Sequence, residues 1–468
     1  MTALWALSAT EMAECFADGR ASPVAVLESC LARLHACEPA LNAVTRLAPG
    51  AREEAEASAA RWRAGRPLSR LDGVPMTVKE FLVTAGLPAS FAEPRDGPEP
   101  PAARDELPVA RMRAAGLVTL AKTNMPEFAV QGYTANARFG TTGNPWAPAL
   151  TPGGSTGGGA AATAAGYAPI ALGTDGGGSL RRPAAHTGLV GLKTSLGLVP
   201  RRGGLPSPLL DFEVAGALTR TVADSRAVLA LMAGPDPRVL WSRFPTPPAA
   251  PPRPLRALYV ERLGDAPLDP AIAASCREAL DDLASCGATV TEGRFPLDVA
   301  ALNDLWPEIG RIGLARLFAE DPALGRRASE PYRAMAEEGA RAPATRLARI
   351  LDRVASLRDA ASALFAEIDL LVTPAIAALS WPAAEVCPAR IDGRPVGPRG
   401  HAIYTGWVNA AALPAISLPV APSPDGLPIG LQLVAGYGAD GLLLDVAEAM
   451  ERRRPWAHRR PEVGGRIG

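Results

Sequence analysis

Two serines, Ser155 and Ser179, stand 24 residues apart in a glycine-rich tract that reads TPGGSTGGG at 151–159 and TDGGGSLRRPA at 174–184. Each follows at least two glycines, which let the backbone turn sharply and approach a bound group without interference from a Cβ. A hydroxyl displayed in this way is a candidate nucleophile, but serine is weak at neutral pH and needs a base to take its proton. The four histidines, His35, His186, His401 and His458, come with no supporting motif. His35 lies in a polar helical stretch, His458 in the basic tail RRRPWAHRRP, and His186, in AAHTGLVG, reads as a residue that packs a helix end. LDGVPMTVKEF at 71–81 offers a better base: Lys79 closes an apolar, β-branched run that could form a strand and carry the ammonium inward. Burial disfavours the charged form and can lower a lysine pKa by several units from about 10.4. Taken singly, these residues have ordinary readings, with Ser155, Thr156 and Ser179 as turn or helix-capping residues and Lys79 as a solvated charge. A phosphate cradle is not indicated, because the tract contains neither GxxxxGK[ST] nor a GxGxxG followed by an acidic residue about 20 positions on.

Taken together, the segments resemble the amidase signature family of serine hydrolases. That family joins GVPxxVK, GGSSGG and TDxGGSxRxPA in this order, and the chain reads GVPMTVK, GGSTGG and TDGGGSLRRPA. AGLVTLAKTNMPEF at 115–128, FGTTGNPW at 139–146, LPAISLPV at 413–420 and GLPIGLQLVAG at 426–436 look like further parts of the same pattern. The resemblance implies a Ser-Ser-Lys triad with Ser179 as nucleophile, Ser155 as the bridging serine and Lys79 as base. Neutral Lys79 would accept a proton from Ser155 while Ser155 accepts one from Ser179, and the same path would return a proton to the leaving amine. It also implies a cis peptide between Gly154 and Ser155. Acyl transfer builds negative charge on the former carbonyl oxygen, and the backbone N–H groups of Gly176, Gly177, Gly178 and Ser179 are the expected oxyanion donors. Losing one such donor typically costs roughly 3 kcal/mol of barrier. A helix opening at SLRRPAA would add its N-terminal dipole. Asp175 and Arg181 match family positions whose expected job is to bond the loop.

By the same resemblance, the walls of the acyl pocket come from Ala129–Tyr133, from the stretch after Pro206 and from the helical 300–345 region, with Ala129 a substrate-binding candidate. The chain departs from the family pattern at Thr156, where a second serine is common, and at Glu80, where aspartate usually follows the lysine. It departs again at Gly176, where a side chain is usual. The first two lie outside the triad. Gly176 is expected to widen the wall beside the oxyanion hole.

The implied activity is hydrolysis of a carboxamide C–N bond to a carboxylate and ammonia or an amine, through an acyl-Ser179 intermediate. A second reading is the glutaminase subunit of a tRNA-dependent amidotransferase, although that subfamily's substrate-binding signature is not found in 300–345. A third, a catalytically inactive scaffold of the same fold, requires a broken triad, and all three positions are filled. The reading calls for no metal and no cofactor, a small-molecule amide as substrate, and leaves room for a homodimer.

Composition is compatible with this. The 48 basic and 48 acidic residues balance, so no strong field would draw nucleic acid or an anionic membrane to the whole chain. Cys15, Cys30, Cys37, Cys276, Cys286 and Cys387 form no CxxC or metal-ligand pattern and read as reduced thiols. MTALWALSATEMAECF lacks a basic start, and no apolar run approaches 18 residues, so a cytoplasmic address is expected by default. Amphipathic helical patterns at 8–18, 22–37 and 50–65 precede a strand at 117–122, a helix through AAATAA and a strand at 169–174. Further on, 255–260, 271–287 and 288–295 form a β-α-β pattern, and 368–374 and two later apolar runs add strands. This alternation argues for a mostly parallel, buried sheet covered by helices. The resemblance sharpens it to one α/β/α domain over 1–468 around a mixed, mostly parallel sheet, with a signature core at about 70–200. The proline-rich 235–256 reads as a surface crossing between N- and C-terminal subregions.

Overall fold

The computed structural model describes residues 3–242 and 254–463, and within them the apolar runs of the sequence form one eleven-stranded sheet. In chain order the strands are β1 (Val44–Leu47), β2 (Pro75–Lys79), β3 (Val118–Thr123), β4 (Ile170–Asp175), β5 (Val190–Lys193) and β6 (Val214–Thr219). They are followed by β7 (Leu255–Tyr259), β8 (Ala288–Glu292), β9 (Leu370–Pro374), β10 (Ala415–Pro419) and β11 (Gly430–Val434). Their order across the sheet is β1-β3-β2-β4-β6-β5-β10-β11-β9-β7-β8. The sheet is mixed. Parallel pairs lie in its two wings, β3-β2-β4 and β9-β7-β8, where helices connect consecutive strands. Antiparallel pairs cross its middle, from β4-β6 to β11-β9.

Both faces of the sheet are covered. Successive strand residues point to opposite faces, and here they enter different apolar clusters. Leu370 and Val372 join one cluster while Leu371 joins another, and Ile416 and Ala415, or Leu433 and Val434, divide in the same way. A strand buried on both sides reads as a near-continuous apolar run; β2, β3, β4 and β6 carry no exposed residue, and the polar side chains among them, Lys79, Lys122 and Asp175 included, are buried with the rest.

The covering helices follow the amphipathic patterns of the sequence. Ala9–Ala17 opens with a reciprocal cap in which Glu11 N–H donates to Ser8 Oγ and Ser8 N–H to the Glu11 carboxylate. Pro23–Leu41 runs four residues beyond the sequence expectation, through Pro39, and stops at Asn42 in the left-handed region (φ 48°). Ala51–Arg63 is the third, and the β-α-β pattern is completed by Pro270–Ser285 between β7 and β8. Half of the proline-rich stretch, 243–253, lies outside the described residues; it is preceded by a short 3-10 turn at Leu240–Ser242.

Candidate active site

Parallel pairing of β2 with β4, with Met76 opposite Ile170 and Val78 opposite Leu172, brings the carboxyl ends of the two strands to the same edge. Ligands of α/β sheets bind at such an edge. Lys79 is the last residue of β2, and Thr174 and Asp175 close β4. Ser155 lies just before the helix Gly157–Ala165, and Ser179 lies between β4 and the helix Arg181–Thr187. The glycine-rich start lets the first of these helices come close to the neighbouring chain: a Cβ on Gly158 would sit 2.5 Å from the backbone of Asn124.

The three residues singled out in the sequence meet in one line. Lys79 Nζ lies 2.8 Å from Ser155 Oγ and 2.9 Å from Thr174 Oγ1, and Ser155 Oγ lies 2.9 Å from Ser179 Oγ. Lys79 and Ser155 are fully buried, whereas Ser179 retains 4% exposure and is the end of the line open to a substrate. The Gly154–Ser155 peptide is cis, in agreement with the resemblance. Burial is the main cause that lowers the Lys79 ammonium to about 8; nearby Glu213 opposes the shift and Arg201 reinforces it. No histidine competes for the role of base. His186 is buried in the helix Arg181–Thr187, pairs with Ser380 Oγ at 2.6 Å and is held neutral, its pKa lowered to about 3 by burial.

Asp175 organises the loop that carries Ser179. Its carboxylate accepts from the backbone N–H groups of Gly178 (2.7 Å) and Leu180 (3.1 Å) and from the Arg181 guanidinium, and Asn409 bonds both its carboxylate and its carbonyl. Arg181 continues the network to Gln432, Thr405 and Asn409. Although burial opposes ionisation, Arg181 holds the Asp175 carboxyl well below the usual carboxylate range.

Two expectations change as a result. Gly178 N–H is committed to Asp175, so the open donors in the tract are those of Gly176, Gly177 and Ser179. The N–H groups of Leu180 and Arg181 at the start of the seven-residue helix donate to Asp175 as well, so the helix start is matched by the aspartate and not left open for a substrate. Gly178 also adopts φ 116°, and a Cβ there would sit 2.3 Å from Thr405 Oγ1, so no other residue fits. Asp175→Ala is expected to destabilise the fold by about 3–5 kcal/mol, because it leaves a buried guanidinium unpaired. Chemical denaturation of the purified variant checks this.

Beside the loop lies a cavity of about 580 Å³. Its lining comes from all three stretches expected to form the acyl pocket: Val130–Gly132, Leu209 after Pro206, and the helix Ala300–Glu320 through Asn303, Trp306 and Gly310. Ala129 itself is not on the wall. It packs into the aromatic cluster of Phe81, Phe91 and Phe128, and the lining begins one residue later. Gly176 does not widen the wall, because a Cβ there would meet Leu209 Cδ1 at 2.7 Å: Leu209 fills the space a side chain would take. Trp306 stands over the next glycine, 3.0 Å from where a Gly177 Cβ would lie, and stacks on Phe212 with ring centroids 5.6 Å apart.

Several residues of the site have little or no signal in the sequence. Thr174 sits at the lysine, yet it is distinguished only by opening the tract TDGGGS. Arg182 falls at a variable position inside the signature segment, between Arg181 and Pro183, and Arg399, in the pocket lining, belongs to no motif. The substitutions in the family pattern are accommodated structurally. Glu80 bonds Thr45 and Ser90 away from the triad, and Thr156 bonds the carbonyls of Thr174 and Ser179 through its hydroxyl and N–H.

Known proteins share this arrangement of strands and segments. A model of the Amidase family matches residues 25–444. An acylamidase of Rhodococcus erythropolis is 32% identical over 97% of both chains. A glutamyl-tRNA(Gln) amidotransferase subunit of Symbiobacterium thermophilum is 35% identical, covering 98% of this chain and all of that one. The crystal structure of a bacterial aryl acylamidase of the amidase signature family superposes with a TM-score of 0.88 at 27% identity, covering 96% of this chain and 97% of the other. The chain belongs to the amidase signature family. It is an amidase, a hydrolase of carbon–nitrogen bonds.

Proposed function

We propose that the enzyme cleaves a carboxamide through an acyl-Ser179 intermediate, with Ser155 as proton relay and Lys79 as base. The observation that carries this reading is the buried line of contacts from Lys79 through Ser155 to Ser179, at 2.8 and 2.9 Å. Ser179 Oγ attacks the carbonyl carbon as its proton moves to Ser155 and that of Ser155 to neutral Lys79. The N–H groups of Gly176, Gly177 and Ser179 face the developing oxyanion. Collapse breaks the C–N bond while the proton on Lys79 returns through Ser155 to the leaving nitrogen. Water then repeats the sequence in place of Ser179, freeing the carboxylate and restoring the serine. Thr174 accepts from Lys79 and fixes its direction. The whole chain is read as one amidase domain, because a single sheet takes strands from Val44 to Val434. Six unpaired thiols fit a reducing, cytoplasmic setting. Among the described residues no helix is long and apolar enough to cross a membrane.

The test is ammonia or amine release from a panel of aliphatic, aromatic and amino-acid amides, glutamine included, by the purified chain alone. Turnover of simple amides supports a free-standing amidase. The relative at 35% identity supports a second reading, the glutaminase component of an amidotransferase, for which activity would appear only with a partner and with glutamine.

Because Lys79 must be neutral to accept a proton, activity should rise with pH. With its pKa lowered to about 8, the neutral fraction grows from about a tenth at pH 7 to about nine-tenths at pH 9. The expected result is a roughly tenfold increase in kcat/KM across that interval, with a midpoint near 8. A profile flat from pH 6 to 9 would exclude lysine as the base.

A further inference from the structure

Neither Gly176 nor Gly177, two of the open donors of the nucleophile loop, lines the cavity beside it; side chains from two other elements stand in between. Leu209 Cδ1 lies 2.7 Å from where a Gly176 Cβ would be, and Trp306 lies 3.0 Å from the same point on Gly177. Both side chains are buried, and both line the cavity. The backbone does not demand glycine at 176, since its φ lies outside the positive region that Gly178 occupies. Leu209 demands it, with Glu213 Cβ as a second neighbour at 3.3 Å. In a close-packed interior, positions 176 and 209 therefore share one volume.

Leu209 is held in that volume from several sides. Its N–H donates to Ser207 Oγ and its carbonyl accepts from Phe212 N–H, each at 3.1 Å. Leu210, with φ 56° and 36% exposure, turns the next side chain outward. The helix Ala300–Glu320 closes the other flank: Pro208 O occupies the place of a Gly313 Cβ, Leu209 Cδ2 lies 3.9 Å from where a Gly310 Cβ would be, and Arg316 donates to Ser207 O at 2.9 Å. A carbonyl oxygen held by the N–H groups of Gly176 and Gly177 fixes the α-carbon of the acyl group only two bonds away. The first atoms of that group must pass beside Leu209 and Trp306.

We propose that Leu209 is a specificity-determining residue: it takes the volume that a side chain at position 176 would fill and, with Trp306, admits an unbranched carbon next to the scissile carbonyl while excluding an α-branched one. The inference rests on the amidase reading and narrows its substrates to amides of unbranched acyl groups. The width of the acyl site is thus set by a residue outside the signature, and positions 176 and 209 are coupled.

The experiment compares butanamide with its isomer 2-methylpropanamide. One misplaced carbon in an apolar pocket changes kcat/KM by about 10- to 200-fold, so wild type is expected to favour butanamide at least tenfold. Leu209→Ala should cut that preference at least fivefold, chiefly by raising turnover of the branched amide, and Leu209→Val should fall between. Gly176→Ala should lower kcat/KM at least tenfold on both amides, because the added methyl collides with Leu209, and Leu209→Ala should recover most of that loss in the double variant. Equal, Ser179-dependent hydrolysis of the two isomers, a ratio unmoved by Leu209→Ala, or a Gly176→Ala loss that Leu209→Ala does not relieve would overturn the role of Leu209 and leave the amidase reading standing. If neither amide is cut, butanal and 2-methylpropanal, which add reversibly to an activated serine hydroxyl, replace them in calorimetry. A preference for butanal that Leu209→Ala abolishes then keeps the role of Leu209 while the amidase reading falls; equal binding of the two aldehydes, or none, overturns it.

Discussion

Ser179→Ala is expected to reduce kcat on any amide substrate by on the order of 10⁴- to 10⁶-fold, the loss typical of deleting the nucleophile from a group that acts as a unit. The reason is geometric. Ser179 is the only member of the buried line with any exposure, and it lies on the loop whose remaining N–H groups Asp175 does not claim. Replacing a hydroxyl by hydrogen removes the atom that forms the acyl bond and changes little else, because Asp175, Asn409 and Thr405 hold the loop through backbone and neighbouring side chains. Folding should therefore be retained, and the melting temperature should stay within a degree or two of wild type. Steady-state kinetics beside thermal melting checks both halves. Activity within tenfold of wild type would show that another group attacks the carbonyl.

Lys79→Met is expected to be nearly as damaging, on the order of 10³-fold or more at neutral pH, because a relay without its terminal base leaves the proton on Ser179. Its effect on stability has the opposite sign. The folded-state pKa of Lys79 lies below the ordinary lysine value, so the unfolded chain holds the proton more tightly and folding carries a desolvation penalty whenever the lysine is charged. That penalty is fully present below about pH 8 and fades as the pH rises from there towards 10.5. Methionine fills similar volume without a charge, so the variant should melt at or above the wild-type temperature at pH 7, with the difference shrinking as pH increases. A lower melting temperature at pH 7 would mean that the lysine is held for structure.

The contrast between what is legible in the sequence and what is concealed has a physical basis. Ser155, Ser179 and Lys79 are legible because each is fixed by a local backbone pattern: glycines where the loop must turn, an apolar β-branched run where a strand must be buried on both faces. The same rule makes β2, β3 and β4 readable. The cis peptide and the roles in the triad come from the resemblance. Gly178 cannot be told from Gly176 and Gly177 as an oxyanion donor, since its N–H is claimed by an aspartate whose orientation depends on Arg181 and on Asn409, 234 residues away. Gly176 looks like an opening because the residue that fills it, Leu209, arrives from a distant segment. Ala129 falls one residue too early for the pocket wall, at a turn with φ 58° that sends it into the aromatic cluster.

The most direct test of the central claim is to inactivate the enzyme with an alkyl fluorophosphonate, which forms an O–P bond to an activated serine with loss of fluoride, and to locate the label by peptide mass spectrometry. The account predicts one label per chain on Ser179, formed in step with the loss of amidase activity. Labelling should be absent in Ser179→Ala and at least a hundredfold slower in Lys79→Met. Inactivation with the label on Ser155 or elsewhere, or labelling of Ser179 at an undiminished rate without Lys79, would contradict it.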